Sequence, residues 1–192
     1  WEDNKLYILG IPTWYDGDLQ SDWEDYLDNF QEVDFTGKTV AVFGLGDQVG
    51  YAEWFCDGVG ILADIIEKNG GKIIGNWSTD GYEFESSKAV MNTNNTFYGL
   101  CLDEDNQPEL TQERLKKWVK QLKQEFDILK KELKELKEEK KEKKELKLID
   151  FISKNSIYSD EYKIKYITDY FNYINFLYLD EDIDKSIKFM TL

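Results

Sequence analysis

Apolar positions along this chain follow two periods, and each change of period marks an element. Leu6-Tyr7-Ile8-Leu9-Gly10-Ile11 and Thr39-Val40-Ala41-Val42-Phe43 are apolar runs of strand length. Runs without polar alternation suit strands covered on both faces of a parallel sheet. Pro12 closes the first run, and Gly44, Gly46 and Asp47 break the second. Elsewhere the period lengthens to that of a helix. Trp23, Tyr26, Leu27 and Phe30 share one face of a helix predicted over about residues 22–30, with Ser21-Asp22-Trp23-Glu24 as its capping box. Phe55, Val59, Leu62, Ile65 and Ile66 stripe a second helix over residues 52–68, ended by Gly70-Gly71. Lys72-Ile73-Ile74-Gly75 predicts a third strand. Residues 97–102 predict a fourth, separated from the third by a polar interruption at 76–96. Thr111 predicts the cap of a helix starting at Gln112, with Leu115, Trp118, Val119, Leu122 and Phe126 as its stripe. Strands alternating with helices imply an α/β fold, a parallel sheet covered by helices.

The pattern changes after residue 126. Residues 130–147 are almost wholly Lys, Glu and Leu, with Glu–Lys pairs four apart, which predicts a long solvated helix. From residue 148 the composition shifts to Ile, Tyr, Phe, Asn, Asp and Lys, and a helix over about 158–179 is expected. The chain therefore divides into a domain at 1–126, a charged helix at 127–147 and a helical or partly disordered tail at 148–192.

Charge narrows the function. The net charge is −15, and residues 1–120 carry 23 acidic against 9 basic side chains, a net of −14. The remainder is nearly balanced, 16 against 15. Such a domain repels nucleic acid and anionic membrane surfaces. The absence of histidine removes Ser-His-Asp triads, His-based proton transfer and most zinc sites, so no catalytic or metal-binding residue is expected. Cys56 and Cys101 lie in apolar contexts, as two reduced core thiols would. No run is long and apolar enough to span a membrane.

The candidate chemistry lies at the strand ends, where open α/β sheets bind ligands. Pro12-Thr13-Trp14-Tyr15-Asp16-Gly17-Asp18 puts two adjacent aromatics on one loop. Gly44-Leu45-Gly46-Asp47-Gln48-Val49-Gly50-Tyr51 puts permissive glycines, an acid and an aromatic on the next. Two such loops let backbone approach a flat ligand closely; a plain turn is the alternative. The spacing G-x-G-x-x-x-G is one residue longer than the dinucleotide fingerprint. Asp103-Glu104-Asp105 forms a third, acidic strand end.

Together, Pro12-Thr13-Trp14-Tyr15-Asp16-Gly17, Leu19-Gln20-Ser21-Asp22-Trp23-Glu24, Phe43-Gly44-Leu45-Gly46-Asp47-Gln48, Gly50-Tyr51-Ala52 and Gly99-Leu100-Cys101-Leu102-Asp103-Glu104-Asp105-Asn106-Gln107 resemble a long-chain flavodoxin over residues 5–126. The interruption at 76–96 is similar to the insertion that defines the long-chain class. The resemblance implies a flavodoxin-like doubly wound parallel sheet, here strands 3, 4 and 5 of the family's five. It implies a low-potential single-electron carrier using FMN, not a catalyst in its own right. Trp14 and Tyr51 would sandwich the flavin ring, and backbone at Thr13, Tyr15, Gly17, Gly46 and Asp47 would hold its polar edge. Asp105 would join Asp22, Glu24, Asp57, Asp103 and Glu104 in an acidic rim that disfavours further negative charge on the ring. Basic partners, such as a flavodoxin reductase and low-potential acceptors, would dock there.

The chain also departs from the family. No Thr/Ser-rich phosphate loop of the type T-x-T-G-x-T occurs in it. Ser153, Ser156 and Ser159 have no glycine among them, which argues against a circular permutation. A truncated flavodoxin impaired in FMN binding is therefore expected, with the strand at residues 6–11 left as an exposed apolar edge. Two further readings stay open: the flavodoxin-like part of a larger flavoprotein reductase, or a remnant domain serving as a helical interaction scaffold. The expected compartment is the cytoplasm, with an organelle as the alternative because the sequence opens on Trp1 rather than Met.

Overall fold

The computed structural model describes residues 1, 4–92, 95–139 and 187–191. At its centre β1 (Leu6–Trp14) lies parallel to β3 (Thr39–Leu45), from Leu6 opposite Thr39 to Pro12 opposite Leu45. Leu6, Ile8, Ala41, Phe43 and Leu45 bury one face of this pair against Leu115, Trp118 and Leu122 of α3 (Pro108–Glu139). Tyr7, Leu9, Ile11, Val40 and Val42 bury the other face. There they meet Trp23 and Phe30 of α1 (Ser21–Gln31) and Val59, Leu62 and Ile66 of α2 (Asp57–Lys68). Both faces are covered, which is why the two runs lack polar alternation. Each large side chain so buried contributes about 1.5–3 kcal/mol.

β1 continues three residues beyond the predicted strand. Thr13 and Trp14 pair antiparallel with Leu19 and Asp18 of β2 (Asp18–Leu19), so the expected loop is a hairpin. Its extended chain reaches Gln20 (ψ 145), which caps α1 in place of the predicted Ser21 box. Gln20 Oε1 accepts the Trp23 N–H at 3.2 Å, and Nε2 donates to Asp22 at 2.9 Å. The predicted helix at 52–68 is broken in two. A single turn, Ala52–Trp54, is separated from α2 by Cys56, whose φ is +56°. α3 begins at Pro108 rather than Gln112, because proline's fixed φ and missing N–H suit a first turn. Thr111 lies inside the helix, its hydroxyl bonded to the Glu104 carboxylate. α3 runs to Glu139 without interruption at residues 126 and 127.

The last family strand is split. β4 (Lys72–Ile74) pairs with Thr39–Ala41 of β3, and β7 (Leu100–Leu102) pairs with Phe43–Leu45, both parallel. β1 occupies one edge of β3, so the two short strands share the other. The inserted segment between them holds β5 (Trp77–Ser78) antiparallel to β6 (Thr96–Phe97). It leaves the sheet at Gly75, where φ is +79° and a Cβ would sit 2.6 Å from Leu122 and 2.7 Å from the Trp118 indole nitrogen.

The strand at residues 6–11 is not an exposed edge. β8 (Ile187–Thr191) pairs parallel with it, Leu6 opposite Ile187 through Gly10 opposite Thr191. The tail expected to be helical or partly disordered over 148–192 thus ends in a strand. An apolar edge with unpaired backbone groups recruits one. Pro12 falls between the stretches of β1 that pair with β8 and with β2, where a missing N–H costs least. The expected helix over 158–179 and the charged residues 140–147 lie outside the described residues.

Candidate functional site

Parallel strands aim their carboxyl ends the same way, so β1, β3 and β7 deliver three loops to one rim of the sheet. The loop after β1 is the tip of the β1–β2 hairpin. Tyr15 occupies the left-handed region (φ +42°) and is 66% exposed. Gly17, at φ +88°, lets the turn lie against α2, where a Cβ would stand 3.0 Å from Asp57 Oδ2 and from Trp54. Trp14 is half-buried, with the Tyr15 ring 6.3 Å away edge-on. Thr13 Oγ1 accepts the Gly58 N–H at 3.0 Å, so its hydroxyl ties β1 to the first turn of α2.

The loop after β3 is held by side chains. Asp47 Oδ1 accepts the Val49 and Gly50 N–H groups at 3.0 and 2.7 Å, and its carbonyl accepts the Tyr51 N–H at 3.1 Å. Asn106 donates to the same carboxylate at 2.7 Å. The Gly46 N–H is occupied by Leu102 O at 3.0 Å, so it is not available to a ligand edge. Beneath lies Asp103, fully buried, whose carboxylate accepts the backbone N–H of Gln48, Asp105 and Asn106 at 3.0, 3.0 and 2.8 Å. It also accepts the Asn106 side-chain amide at 2.9 Å. Gln48, 2% exposed, uses Oε1 to accept the Glu83 N–H at 2.6 Å and so ties in the inserted segment. Sequence reading placed Asp103 in an acidic rim. The structure makes it the post between the β3 and β7 loops, and Asn106 and Gln48 were not foreseen. The signal was an acid followed by Glu-Asp-Asn at a strand end, where Asx side chains fold back on following N–H groups.

The expected site residues Thr13, Trp14, Tyr15, Gly17, Gly46, Asp47, Tyr51 and Asp105 all fall on these three loops. The acidic rim is thinner than the sequence implied. Asp57 is 2% exposed and ion-paired with Lys88 at 3.0 Å, Asp103 is sealed, and Glu104 bonds Thr111. Asp105 and Glu24 are exposed. Behind the rim Tyr82 donates to Cys101 O at 2.5 Å, and burial pushes its phenol well above the ordinary range.

The rim fits a flat aromatic group on one observation. Four large hydrophobics stand exposed among the described residues, and Tyr15, Val49 and Tyr51 lie on the β1 and β3 loops, with Tyr51 39% exposed. Exposed apolar side chains gathered at one place mark a binding surface. The strict pattern T-x-T-G-x-T does not occur in the sequence.

The model of the flavodoxin family matches residues 1–118. The chain is 53% identical to a Haemophilus influenzae flavodoxin over 124 residues, covering 63% of this chain and 71% of that protein. It is 55% identical to a Nostoc flavodoxin over 126 residues, covering 66% and 73%. Its fold is similar to the crystal structure of Fusobacterium nucleatum flavodoxin bound to flavin mononucleotide. There the TM-score is 0.60 and the identity 43%, over 63% of this chain and 71% of the other.

Proposed function

The chain belongs to the flavodoxin family, and on that premise we propose that it is an electron-transfer flavoprotein carrying single electrons on FMN. The cluster of Tyr15, Val49 and Tyr51 at the carboxyl ends of β1 and β3, beside Trp14, supports this reading most directly. FMN supplies the redox chemistry when bound. Trp14 and Tyr51 come from neighbouring strands and flank the ring, where offset aromatic contacts favour a flat group. Tyr15 and Gly17, both at positive φ, shape the hairpin tip whose backbone would hold the ring's polar edge. Asp47 and Asp103 hold the second loop in shape before any ligand arrives, which lowers the cost of binding. On this reading the protein delivers electrons to other catalysts. Exposed acids around the loops steer basic redox partners, such as a flavodoxin reductase, and salt screens that steering. Two free thiols suit a reducing compartment, the cytoplasm.

The ring loops are only part of an FMN site. With no loop of the type T-x-T-G-x-T, and a net charge of −14 over residues 1–120, the phosphate gains little here. The 192-residue chain is therefore expected to bind riboflavin no worse than FMN. Titration followed by quenching of flavin fluorescence checks this. Trp14→Ala and Tyr51→Ala should each weaken riboflavin by about tenfold, the worth of one aromatic contact. Riboflavin binding unaffected by both substitutions, or no ring binding at any concentration, would count against the site. Submicromolar FMN binding with clear preference over riboflavin would place a phosphate site elsewhere in the chain.

A further inference from the structure

The hairpin tip and the Tyr51 loop share one support. The turn at Ala52–Trp54 follows directly on Tyr51, whose carbonyl accepts the Trp54 N–H at 3.0 Å. The hairpin leans on that turn and on the start of α2. A Cβ on Gly17 would stand 3.0 Å from the Trp54 ring and 3.0 Å from Asp57 Oδ2. Thr13, lower on the same hairpin, accepts the Gly58 N–H at 3.0 Å. Whatever fixes residues 52–58 therefore acts on both loops at once.

Residues 84–88 of the inserted segment lie against that support from behind. Ala52 O accepts two backbone N–H groups, from Glu85 at 2.9 Å and from Ser86 at 3.1 Å. The Ser86 hydroxyl donates to Glu53 O. Phe84 packs on Phe55, their ring centroids 5.5 Å apart. At its end the segment takes both oxygens of Asp57. The Lys88 N–H donates to Oδ1 at 2.8 Å, and the Lys88 ammonium pairs with Oδ2 at 3.0 Å. The Asp57 side chain is 2% exposed and that of Lys88 59%. A buried carboxylate is tolerated when it is paired and hydrogen-bonded. A solvent-facing lysine thus holds in place the carboxylate on which Gly17 rests.

We propose that Lys88 is a positioning residue for the flavin site: through Asp57 it fixes the hairpin tip against the turn at Ala52–Trp54, and so sets the two ring loops relative to each other. The proposal rests on the flavin reading for its ligand, but not for the coupling of the inserted segment to the loops. The two anchors of the segment divide the work. Glu85 and Ser86 hold the Tyr51 side through backbone carbonyls, and the ion pair holds the hairpin side through the carboxylate beneath Gly17. Both act before any ring arrives, so less freedom is lost on binding.

The test is Lys88→Met in the full chain, which keeps most of the stem and removes the ammonium, with Lys88→Arg as the conservative variant. Amide exchange is followed without ligand. In Lys88→Met, exchange at Tyr51, Trp54 and Gly58 should accelerate by roughly tenfold more than at the amides of β1 and β3. Lys88→Arg, which restores the ion pair, should return it toward the unaltered rate. Riboflavin affinity, read by quenching of flavin fluorescence, should fall by about tenfold in Lys88→Met and recover in Lys88→Arg. Acceleration of equal size in the loops and in the two strands would make the pair a stability element alone and overturn the proposal. So would loop exchange unchanged from the unaltered chain, or riboflavin affinity untouched while the loops loosen. An unaltered chain that binds no riboflavin would count against the flavin reading instead, and the exchange rates would still decide whether Lys88 holds the loops. Should Lys88→Met fail to fold, the same measurements are made on Lys88→Met combined with Asp57→Asn, which leaves no unpaired buried charge. The loops should still loosen there, and unchanged exchange would overturn the proposal.

Discussion

The two loops that meet at the rim are built in opposite ways. The loop after β3 has no residue at positive φ and is tied down by the Asp47 and Asp103 carboxylates. The hairpin tip after β1 carries two left-handed residues, Tyr15 and Gly17, and an exposed tyrosine. One loop is held by hydrogen bonds to neighbouring segments, the other by its own backbone shape. A flat ligand needs a fixed floor and a cover that fits itself to the ring, and in the proposed site these loops would divide the two tasks.

The largest difference should appear when each loop loses an acid. Asp103→Ala removes the acceptor of three backbone N–H groups and one side-chain amide in a fully buried place. Orphaned buried donors cost about 1–3 kcal/mol each before relaxation, so a loss of about 3–5 kcal/mol in urea unfolding is expected. Asp16→Ala, in the exposed hairpin tip, should change stability by less than about 0.5 kcal/mol. Equal effects would erase the contrast.

Next in size is an alkaline effect confined to the held side. The inserted segment docks there through Gln48 and through Tyr82, whose phenol burial pushes well above its ordinary range. A group with a raised folded value gives stability that is whole below its unfolded value, about 10 for tyrosine. Above that pH the unfolded chain releases the proton while the folded one retains it, so stability falls by about 1.4 kcal/mol per pH unit. Tyr82→Phe loses the hydrogen bond to Cys101 O but should lower that slope by one proton, read from urea midpoints between about pH 10 and 12. An unchanged slope would mean the phenol titrates freely.

How much of this was legible follows from the reach of each cause. The β1 and β3 runs, the α2 stripe and the placing of Trp14 and Tyr51 at the carboxyl ends of β1 and β3 were readable, because burial on both faces and strand-end chemistry act over a few residues. The Gln20 cap was not, since it depends on β2 pairing across the hairpin. The start of α3 at Pro108 was readable in principle, but Thr111 looked like the better cap until Glu104 took its hydroxyl. β8 was invisible for a stronger reason. Its strand conformation is set by the open edge of Leu6–Gly10 far away in sequence, not by its own composition. Asp103 announced a charge, and only the fold says that this charge is an internal acceptor.

On the hairpin side the expected effects are smaller, and their signs differ. Gly17→Ala places a Cβ at φ +88° against Asp57 and Trp54 and should cost about 1–2 kcal/mol.

Tyr15→Gly should go the other way. Tyr15 sits at φ +42°, and a residue with a Cβ carries about 1–2 kcal/mol of strain there, whereas glycine carries essentially none. Glycine also has more freedom to lose on folding, about 0.5–1 kcal/mol, so the net gain should be about 0.5–1 kcal/mol. The ring itself contributes little to offset this, being 66% exposed with its edge toward Trp14 at 6.3 Å. Thermal unfolding of the ligand-free chain is the measurement, with a small rise in midpoint expected. A fall of more than about 1 kcal/mol would show that the Tyr15 ring, and not the backbone turn, fixes the hairpin. The division between a loop held by its partners and a loop held by its own conformation would then fail on the hairpin side.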